Sequence, residues 1–215
     1  MSTNMLGVAL CEVRGLLCDL MEKLCGEDGK LWLEAFKKFL RKEQCWMKRW
    51  TEKDNVIYFT LVSNGKTGDE WINHFEGKKL PVGSYAQSVL RHKNFKPTKA
   101  GTVHNIVVLK GDLFSDENRI TKNIRAEAKE RKMTEPHAEV ACLIRDAFSD
   151  KEIEEMGLSW INTMHEPIPD SGGDPLVLGT SRYDVYGLYA YDDNPDDCWL
   201  RDYGFAFSVS QGTQS

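Results

Sequence analysis

Three familiar signatures are missing from this sequence of 215 residues, and each absence excludes a class of protein. No apolar run approaches the ~20 residues that a helix needs to span a bilayer, so we expect no membrane-spanning protein. No Cys-x-x-Cys pair occurs, which removes the strongest zinc-site signature. The glycine-rich phosphate-binding motifs and the Gly-x-Ser-x-Gly nucleophile motif are also absent, so no motif predicts an enzyme.

The N-terminus and the cysteines indicate a compartment. Residues 1–10 carry no Lys or Arg ahead of their short apolar run, so they lack the basic region of a secretory signal. Three of the six cysteines, Cys11, Cys18 and Cys25, recur every seventh residue along one predicted helix. Successive members would lie ~10 Å apart, which is too far for disulfide bonds between them. We interpret them as small apolar core residues and expect a reducing, cytoplasmic setting.

Charge is unevenly distributed, although the net formal charge is only −5. Residues 30–132 carry 22 basic and 12 acidic side chains, whereas the last 46 residues hold eight Asp, two Arg and neither Lys nor Glu. Because a basic face can follow a phosphate backbone, one alternative is a nucleic-acid interface within residues 78–132. Its contacts would be Lys93, Lys96, Arg125 and Lys129, with no recognised nucleic-acid motif beside them.

The chain begins with a predicted helical pair. Over residues 4–25, leucine and valine recur at alternating steps of four and three, which predicts an amphipathic helix. A second helix is predicted from about Lys30 to Glu43, and its inward residues are Trp32, Phe36, Phe39 and Leu40. The apolar stripe is too short for a free-standing coiled coil. It favours packing on the rest of the chain, with a homodimer seam as the alternative.

The middle of the chain alternates strand and helix patterns. Runs of β-branched and aromatic residues predict strands at Val56–Val62, Thr102–Leu109 and Leu158–Met164. Short helices are predicted at residues 69–76, 84–91, 118–131 and 136–148. Pro136 would occupy the first turn of the last of these, and the spacing of Ser149 and Glu152 predicts a capping box for one more helix.

These patterns predict an α+β fold with an N-terminal helical pair, a mixed or antiparallel sheet flanked by helices, and a β-rich C-terminal tail. The predicted divisions are residues 1–50, 51–166 and 167–215, packed as one compact domain.

The tail has the most distinctive composition, with five of the seven tyrosines. Large and small residues alternate over Tyr203–Val209, which predicts a half-buried strand, and we expect Tyr186–Tyr191 to be its neighbour across a turn at Asp192–Asp197. Tyrosine supplies a large contact area at a low entropic cost and is typical of binding surfaces. We therefore predict a contact surface whose members are Tyr183, Tyr186, Tyr189, Tyr191, Trp199 and Tyr203.

Some segments match metal sites only in part. Asp192, Asn194 and Asp196 are spaced like the first three ligands of a calcium loop, but the glycine and glutamate that complete such a loop are missing. Asp170 and Asp174 would form either a turn or a cation site. His137-Ala138-Glu139 is similar to half of a zinc deaminase site, whose Pro-Cys-x-x-Cys half is absent. We predict no cofactor and no metal, with calcium at the first group as the alternative.

Several segments together resemble a family of bacterial proteins without an assigned activity, which occurs in candidate-phylum genomes. The segments are Leu31–Glu43, Val82–Phe95 and Met164–Pro175, followed by Arg182, Leu188, Pro195, Trp199 and Phe205–Phe207. Where that family more often reads Asp-Ser-Asp-Gly, this chain has Asp-Ser-Gly-Gly at residues 170–173. The resemblance implies a bacterial source and no particular reaction.

The tail is also faintly similar to the ends of C-type-lectin-like modules diversified by retroelements, which implies a binding role. Those modules close with Gly-Phe-Arg, and here Ala206 stands in place of the arginine.

The sequence as a whole favours a non-enzymatic binding protein that contacts an unidentified protein or other macromolecule through its Tyr- and Asp-rich tail. A nucleic-acid-interacting protein is the second hypothesis. A hydrolase whose catalytic groups converge from distant segments is the third, and no motif supports it.

Overall fold

The computed structural model describes residues 3–41, 48–170, 172–182 and 187–209, with side chains from Arg14 onward. The chain divides into two compact units, Met1–Lys48 and Arg49–Ser215. Seven α-helices and eight β-strands lie within the described residues, and the predicted α+β class with its N-terminal helical pair is confirmed. None of the helices in this part of the chain has the length and apolarity that crossing a bilayer requires.

The first unit is a pair of helices, α1 (Thr3–Cys25) and α2 (Gly29–Leu40). The turn between them requires glycine, because a Cβ atom at Gly29 would lie 2.1 Å from the carbonyl oxygen of Leu24. The ammonium group of Lys23 lies 4.8 Å from the centroid of the Trp32 ring, and this cation–π contact joins the two helices.

Two expectations about the buried residues of this pair are wrong. Phe39 and Leu40, expected to face inward, are each 64% exposed. The apolar side chains of α2 cover more of its circumference than α1 can contact. Cys18 and Cys25, expected in a core, are exposed, because they lie on α1 outside the stripe that Leu20 and Leu24 define.

The second unit contains one mixed sheet with helices between its strands. Its strands are β1 (Trp50–Lys53), β2 (Val56–Val62), β3 (Val103–Lys110), β4 (Trp160–Thr163), β5 (Ile168–Pro169), β6 (Pro175–Ser181), β7 (Leu188–Asp192) and β8 (Tyr203–Ser208). Its helices are α3 (Gly68–Gly77), α4 (Ser84–Arg91), α5 (Thr121–Glu130), α6 (Glu139–Ala147) and α7 (Asp150–Glu155). The range of β2 and that of α4 coincide with the sequence predictions.

The strand order is β1-β2-β3-β8-β4-β6-β5, with β7 paired to β6. Strand β8 runs parallel to β4, and the other pairs of the sheet are antiparallel. The expectation that the segment ending at Tyr191 pairs with the last strand is wrong. Strand β8 instead lies between β3 and β4. Its neighbouring residues Phe205 and Ala206, which point to opposite faces, are both fully buried, because both faces of the sheet are covered there.

Two apolar layers cover the two faces of this sheet. One face packs against α3, α4, α6 and α7, through residues such as Ile57, Ile144 and Ile161. The other face packs against α5 and carries Phe205, Trp199 and Ile124. Strands β6, β7 and β8 belong to the tail of the sequence, so the tail and the body share one sheet.

Local signals fixed some helix ends and not others. The capping box of Ser149 and Glu152 starts α7 as predicted, since both reciprocal hydrogen bonds are present. Helix α6 begins at Glu139 rather than at Pro136, which is buried in the preceding loop. The loop carries His137, and the first turn of α6 carries Glu139, to the surroundings of a cavity described below.

Candidate functional site

Three of the predicted contact residues meet in one aromatic cluster. Tyr191, Trp199 and Tyr203 form a closed ring with Trp160 of β4, in which adjacent ring centroids are 5.3 to 6.2 Å apart. Trp160 was missed because it lies outside the Tyr- and Asp-rich tail and reaches the cluster through the pairing of β4 with β8. Two further predicted members, Tyr183 and Tyr186, lie outside the described residues.

The aromatic cluster is a packed core rather than an open surface. Trp199 is only 8% exposed, and its indole N–H donates to the hydroxyl oxygen of Thr121 over 2.9 Å. Asn162 lies fully buried on the same face of β4, and its amide atoms have no hydrogen-bond partner. Its Oδ1 is only 2.5 Å from where a Cβ atom at Gly179 would be. The buried rings of Trp160 and Trp199 therefore support Tyr191 and, next to it, Tyr189, which remain half-buried.

Those two tyrosines line an open groove, which we call the Tyr/Asp groove. Its volume is about 370 Å³, and its polar and aromatic lining consists of Tyr85, Asp170, Asp174, Tyr189, Tyr191 and Asp192. Leu176 and Ala190 complete the lining. None of the described residues that line it is basic. The groove thus combines aromatic surface with three carboxylates.

A tight turn places two of the carboxylates. Oδ1 of Asp170 accepts backbone N–H groups from Gly172 and Asp174, over 2.7 and 3.0 Å. Gly173 has φ +95°, a conformation that side chains rarely adopt, so this position favours glycine. The sequence alternatives for this segment were a turn or a cation site, and the hydrogen bonds are those of a turn. The turn brings Asp170 and Asp174 to one end of β6.

The strand ladder and helix α4 place the rest of the groove. Asp192 pairs opposite Leu176, so its carboxylate lies at the same end of β6 as Asp174. The rings of Tyr189 and Tyr191 have centroids 5.3 Å apart. Gly83 precedes α4, and a Cβ atom there would lie 2.7 Å from the Tyr189 ring. This close approach brings the exposed Tyr85 of α4 to the groove.

Neighbouring carboxylates at Asp192 and Asp193 have different roles. Asp193 is mostly buried, and both of its oxygens accept from one nitrogen of Arg125, at 2.9 and 2.8 Å. Burial raises the pKa of Asp193, although the guanidinium of Arg125 opposes this shift. Asp192 is exposed and lines the groove. Asp193 therefore anchors α5 to the end of β7, and Asp192 contributes negative charge to the groove.

A second cavity, of about 480 Å³, lies where the loop before α6 meets the segment after β4. His137, Glu166 and Lys96 line it, together with the buried ring of His165. Nδ1 of His165 lies 2.6 Å from the Glu166 carbonyl oxygen, and Nε2 accepts the N–H of Leu178 over 3.0 Å. Burial lowers the pKa of His165 to about 4, with a further contribution from Arg125 that the Glu166 carbonyl opposes. His165 is thus a neutral structural residue.

Glu139, beside the second cavity, is fully buried in a polar network. Its carboxylate accepts hydrogen bonds from the hydroxyl of Ser63 at 2.9 Å and from the N–H and hydroxyl of Thr98, and it lies 3.2 Å from Nε2 of His104. Burial alone would raise the pKa of Glu139, but these hydrogen bonds outweigh it and lower the pKa. The carboxylate joins β2, β3 and α6, and no solvent reaches it.

The described residues contain no group of three or more His, Cys, Asp or Glu placed to hold a metal ion. At the calcium-like positions, Oδ1 of Asn194 accepts the backbone N–H of Asp196 over 3.2 Å. The Asp196 carboxylate lies 2.6 Å from the ammonium group of Lys122. Asp192 points to the groove instead. These three side chains therefore serve a turn, an ion pair and the groove lining.

The residues of the nucleic-acid hypothesis do not form one free basic face. Arg125 is engaged by Glu135, by Asp193 and by two backbone carbonyls. Lys96 lines the second cavity, Lys129 lies exposed in the last turn of α5, and Lys93 is exposed in the loop after α4. Arginines and lysines elsewhere in this region pair with carboxylates as well: Lys78, Arg91, Arg119, Lys122 and Arg131.

Comparison of the chain with protein-family models, with curated proteins and with solved structures found no match. The family resemblance stated from the sequence therefore stays a prediction, and the groove is interpreted from its own chemistry. Sequence reasoning found Tyr189 and Tyr191 from composition. It missed Tyr85, for which the sequence offers no signal, because α4 is about 100 residues distant along the chain and reaches β7 only in the folded sheet.

Proposed function

We propose that this protein binds a positively charged side chain of a partner protein in the Tyr/Asp groove, and that it acts by binding rather than by catalysis. The observation that carries the proposal is the lining, in which three tyrosines and three aspartates surround about 370 Å³. Tyrosine rings attract cations, and carboxylates add charge-assisted hydrogen bonds. The volume is near the lower end for ligand sites, which suits a single side chain.

Arginine fits this lining best among the basic side chains. Its planar guanidinium stacks on aromatic rings and pairs with a carboxylate through two parallel hydrogen bonds, whereas lysine offers a compact point charge. The tail around the groove also has a strong negative excess, with eight Asp and two Arg in the last 46 residues. Such a field attracts basic partners and speeds their association.

The proposal includes a cellular setting for this interaction, which rests on the cysteines and on the family resemblance. We place it in the reducing cytoplasm of a bacterial cell, where the thiols of Cys18, Cys25, Cys142 and Cys198 would stay free as they are in the structure.

The test uses a short peptide with two adjacent arginines between glycines, and the same peptide with citrulline in place of arginine. Citrulline keeps the shape of arginine and removes its charge. We expect calorimetry to detect binding of the arginine peptide that weakens with added salt, and no binding of the citrulline peptide. Equal binding of the two peptides would contradict the proposal.

Variants of the groove complete the test. Asp174→Asn combined with Asp192→Asn removes two charges without changing shape. We expect about thirtyfold weaker binding, because each of the two charge-assisted contacts is worth on the order of 1 kcal/mol. Asp202→Asn is the matched control, since Asp202 is an exposed aspartate of the same tail outside the groove lining. The proposal fails if the double variant binds as well as this control.

A further inference from the structure

The described side chains of the helical pair leave most of their apolar surface exposed. Between residues 14 and 41, Gly29 is the one described residue that is buried. Eleven large apolar side chains are exposed in the described chain, and seven belong to this short segment. The seven are Leu16, Leu17, Met21, Leu31, Leu33, Phe39 and Leu40.

The apolar residues of α2 are spread over more of the helix surface than contact with α1 covers. At ~100° per residue, the apolar side chains of α2 cover about 200° of its circumference, whereas the apolar stripe that faces the core in a surface helix is typically about 100° or more wide. Trp32 and Phe36 are half-buried. Phe39, close to the middle of the arc, is 64% exposed. One adjacent helix cannot cover this arc, so contact with α1 leaves Phe39 available.

We propose that a second copy of this chain provides the missing layer, so that two helical pairs associate through α1 and α2 into a four-helix bundle. Four-helix bundles bury apolar stripes of this kind between facing helices. A twofold symmetric dimer uses the same surface on both copies, and therefore needs a surface that is complementary to itself.

The charges of the two helices are complementary, because α1 has an acidic excess and α2 has a basic excess. Helix α1 carries two basic and three acidic side chains, whereas residues 29–41 carry four basic side chains against Glu34 alone. Alignment of α2 with the partner's α2 would bring like charges together. Alignment of α1 with the partner's α2 places acidic beside basic flanks, which favours this pairing.

The test measures the mass of the full chain by sedimentation equilibrium over a range of concentrations. We expect a dimer of twice 24.5 kDa that dissociates on dilution. Phe39→Glu and, separately, Met21→Glu should weaken dimerisation at least about tenfold, because each places a charge in the apolar seam. Leu200→Glu is the matched control, since Leu200 is 61% exposed in the second unit and should leave the dimer unchanged.

Two outcomes would overturn the dimer. One is a chain that stays monomeric at all concentrations. If Phe39→Glu also lowers the melting temperature of that monomer, Phe39 is covered by its own chain and not by a second copy. The other is a dimer whose dissociation constant does not change in Phe39→Glu or Met21→Glu. The peptide-binding variant with Asp174→Asn and Asp192→Asn should keep the dimer mass, so the failure of either proposal is separate from that of the other.

Discussion

The two units of the chain use apolar residues in opposite ways. In the second unit, side chains such as Ile57, Leu178 and Phe205 are fully buried between the sheet and its helices. In the first unit, Leu16 and Phe39 are 70% and 64% exposed. Both units follow regular apolar periodicity, so periodicity alone predicts a helix or a strand and not whether its apolar face is covered. A face is covered only when another element packs on it.

The largest expected effect comes from truncating one leucine side chain in each unit. Leu178→Ala leaves a cavity in the core, and we expect it to lower the free energy of unfolding by about 2–5 kcal/mol. Leu17→Ala in α1 should cost less than about 0.5 kcal/mol at high dilution, because Leu17 is 53% exposed. Hydrogen exchange followed by mass spectrometry measures the stability of each segment separately.

Protein concentration should affect the two leucine variants differently. If a second copy covers α1, the cost of Leu17→Ala rises with protein concentration, whereas the cost of Leu178→Ala does not. Equal costs for the two variants at high dilution would mean that the units do not differ in coverage.

A pH titration is the second comparison, because only the second unit has a titratable ring whose pKa is strongly shifted among the described residues. The pKa of His165 is about 4 in the folded protein. The unfolded chain takes up this proton near its ordinary pKa of about 6.5, so stability is full above that pH and falls as the pH drops toward 4. The expected loss is about 3 kcal/mol, at 1.36 kcal/mol for each unit of pKa difference.

Chemical denaturation at several pH values between 7 and 4.5 measures this loss. Glu139 contributes at lower pH, because its pKa is lowered from an ordinary value of 4.5, and its stabilisation fades only as the pH falls through the folded value. His165→Gln is the control, since the amide oxygen can accept the Leu178 N–H but does not titrate in this range. A variant that keeps the full pH dependence would show that His165 is not its source.

Smaller effects than those of Leu178→Ala and of pH are expected from one substitution, Gly→Ala, made in both units. At Gly179 the new Cβ atom would lie 2.5 Å from Oδ1 of Asn162, so we expect a loss of about 1–3 kcal/mol. At Gly15 no atom lies within 4 Å, and alanine should stabilise α1 by about 0.5–1 kcal/mol. Asn162→Ala in the Gly179→Ala background should recover most of the loss. Absence of this coupling in a double-mutant cycle would contradict the contact.

Local sequence signals predicted where helices and strands form better than they predicted which strands pair with each other. The β-branched run at Val56–Val62 and the capping box at Ser149 were sufficient, because each depends on residues close in sequence. The pairing of β8 with β3 and β4 was not predictable in this way, because alternation specifies a strand but not its partners. The expected hairpin with the segment ending at Tyr191 was the shorter connection, and the structure does not use it.

For the candidate site, the sequence predicted some of the residues involved but not how the fold brings them together. Composition singled out Tyr189 and Tyr191, which do line the groove. Composition also singled out Trp199, but its indole N–H forms a hydrogen bond inside the core. The residue type alone does not show whether an aromatic ring is buried or exposed. Tyr85 reaches the groove through the segment before α4, where Val82 bridges Leu188 of β7 over a long distance in sequence. The carboxylates meet through the Asp170 turn and the pairing of β6 with β7, and composition alone does not predict either arrangement.

The central place of β8 also constrains how the protein is made. Its partners on β3 lie about 100 residues earlier in the chain, which gives the sheet a high contact order. During translation β3 and β4 are complete long before β8 leaves the ribosome, and each then has an unpaired edge. The sheet can close only after synthesis has passed residue 208. Until then the unpaired edges of the nascent sheet are potential sites of aggregation.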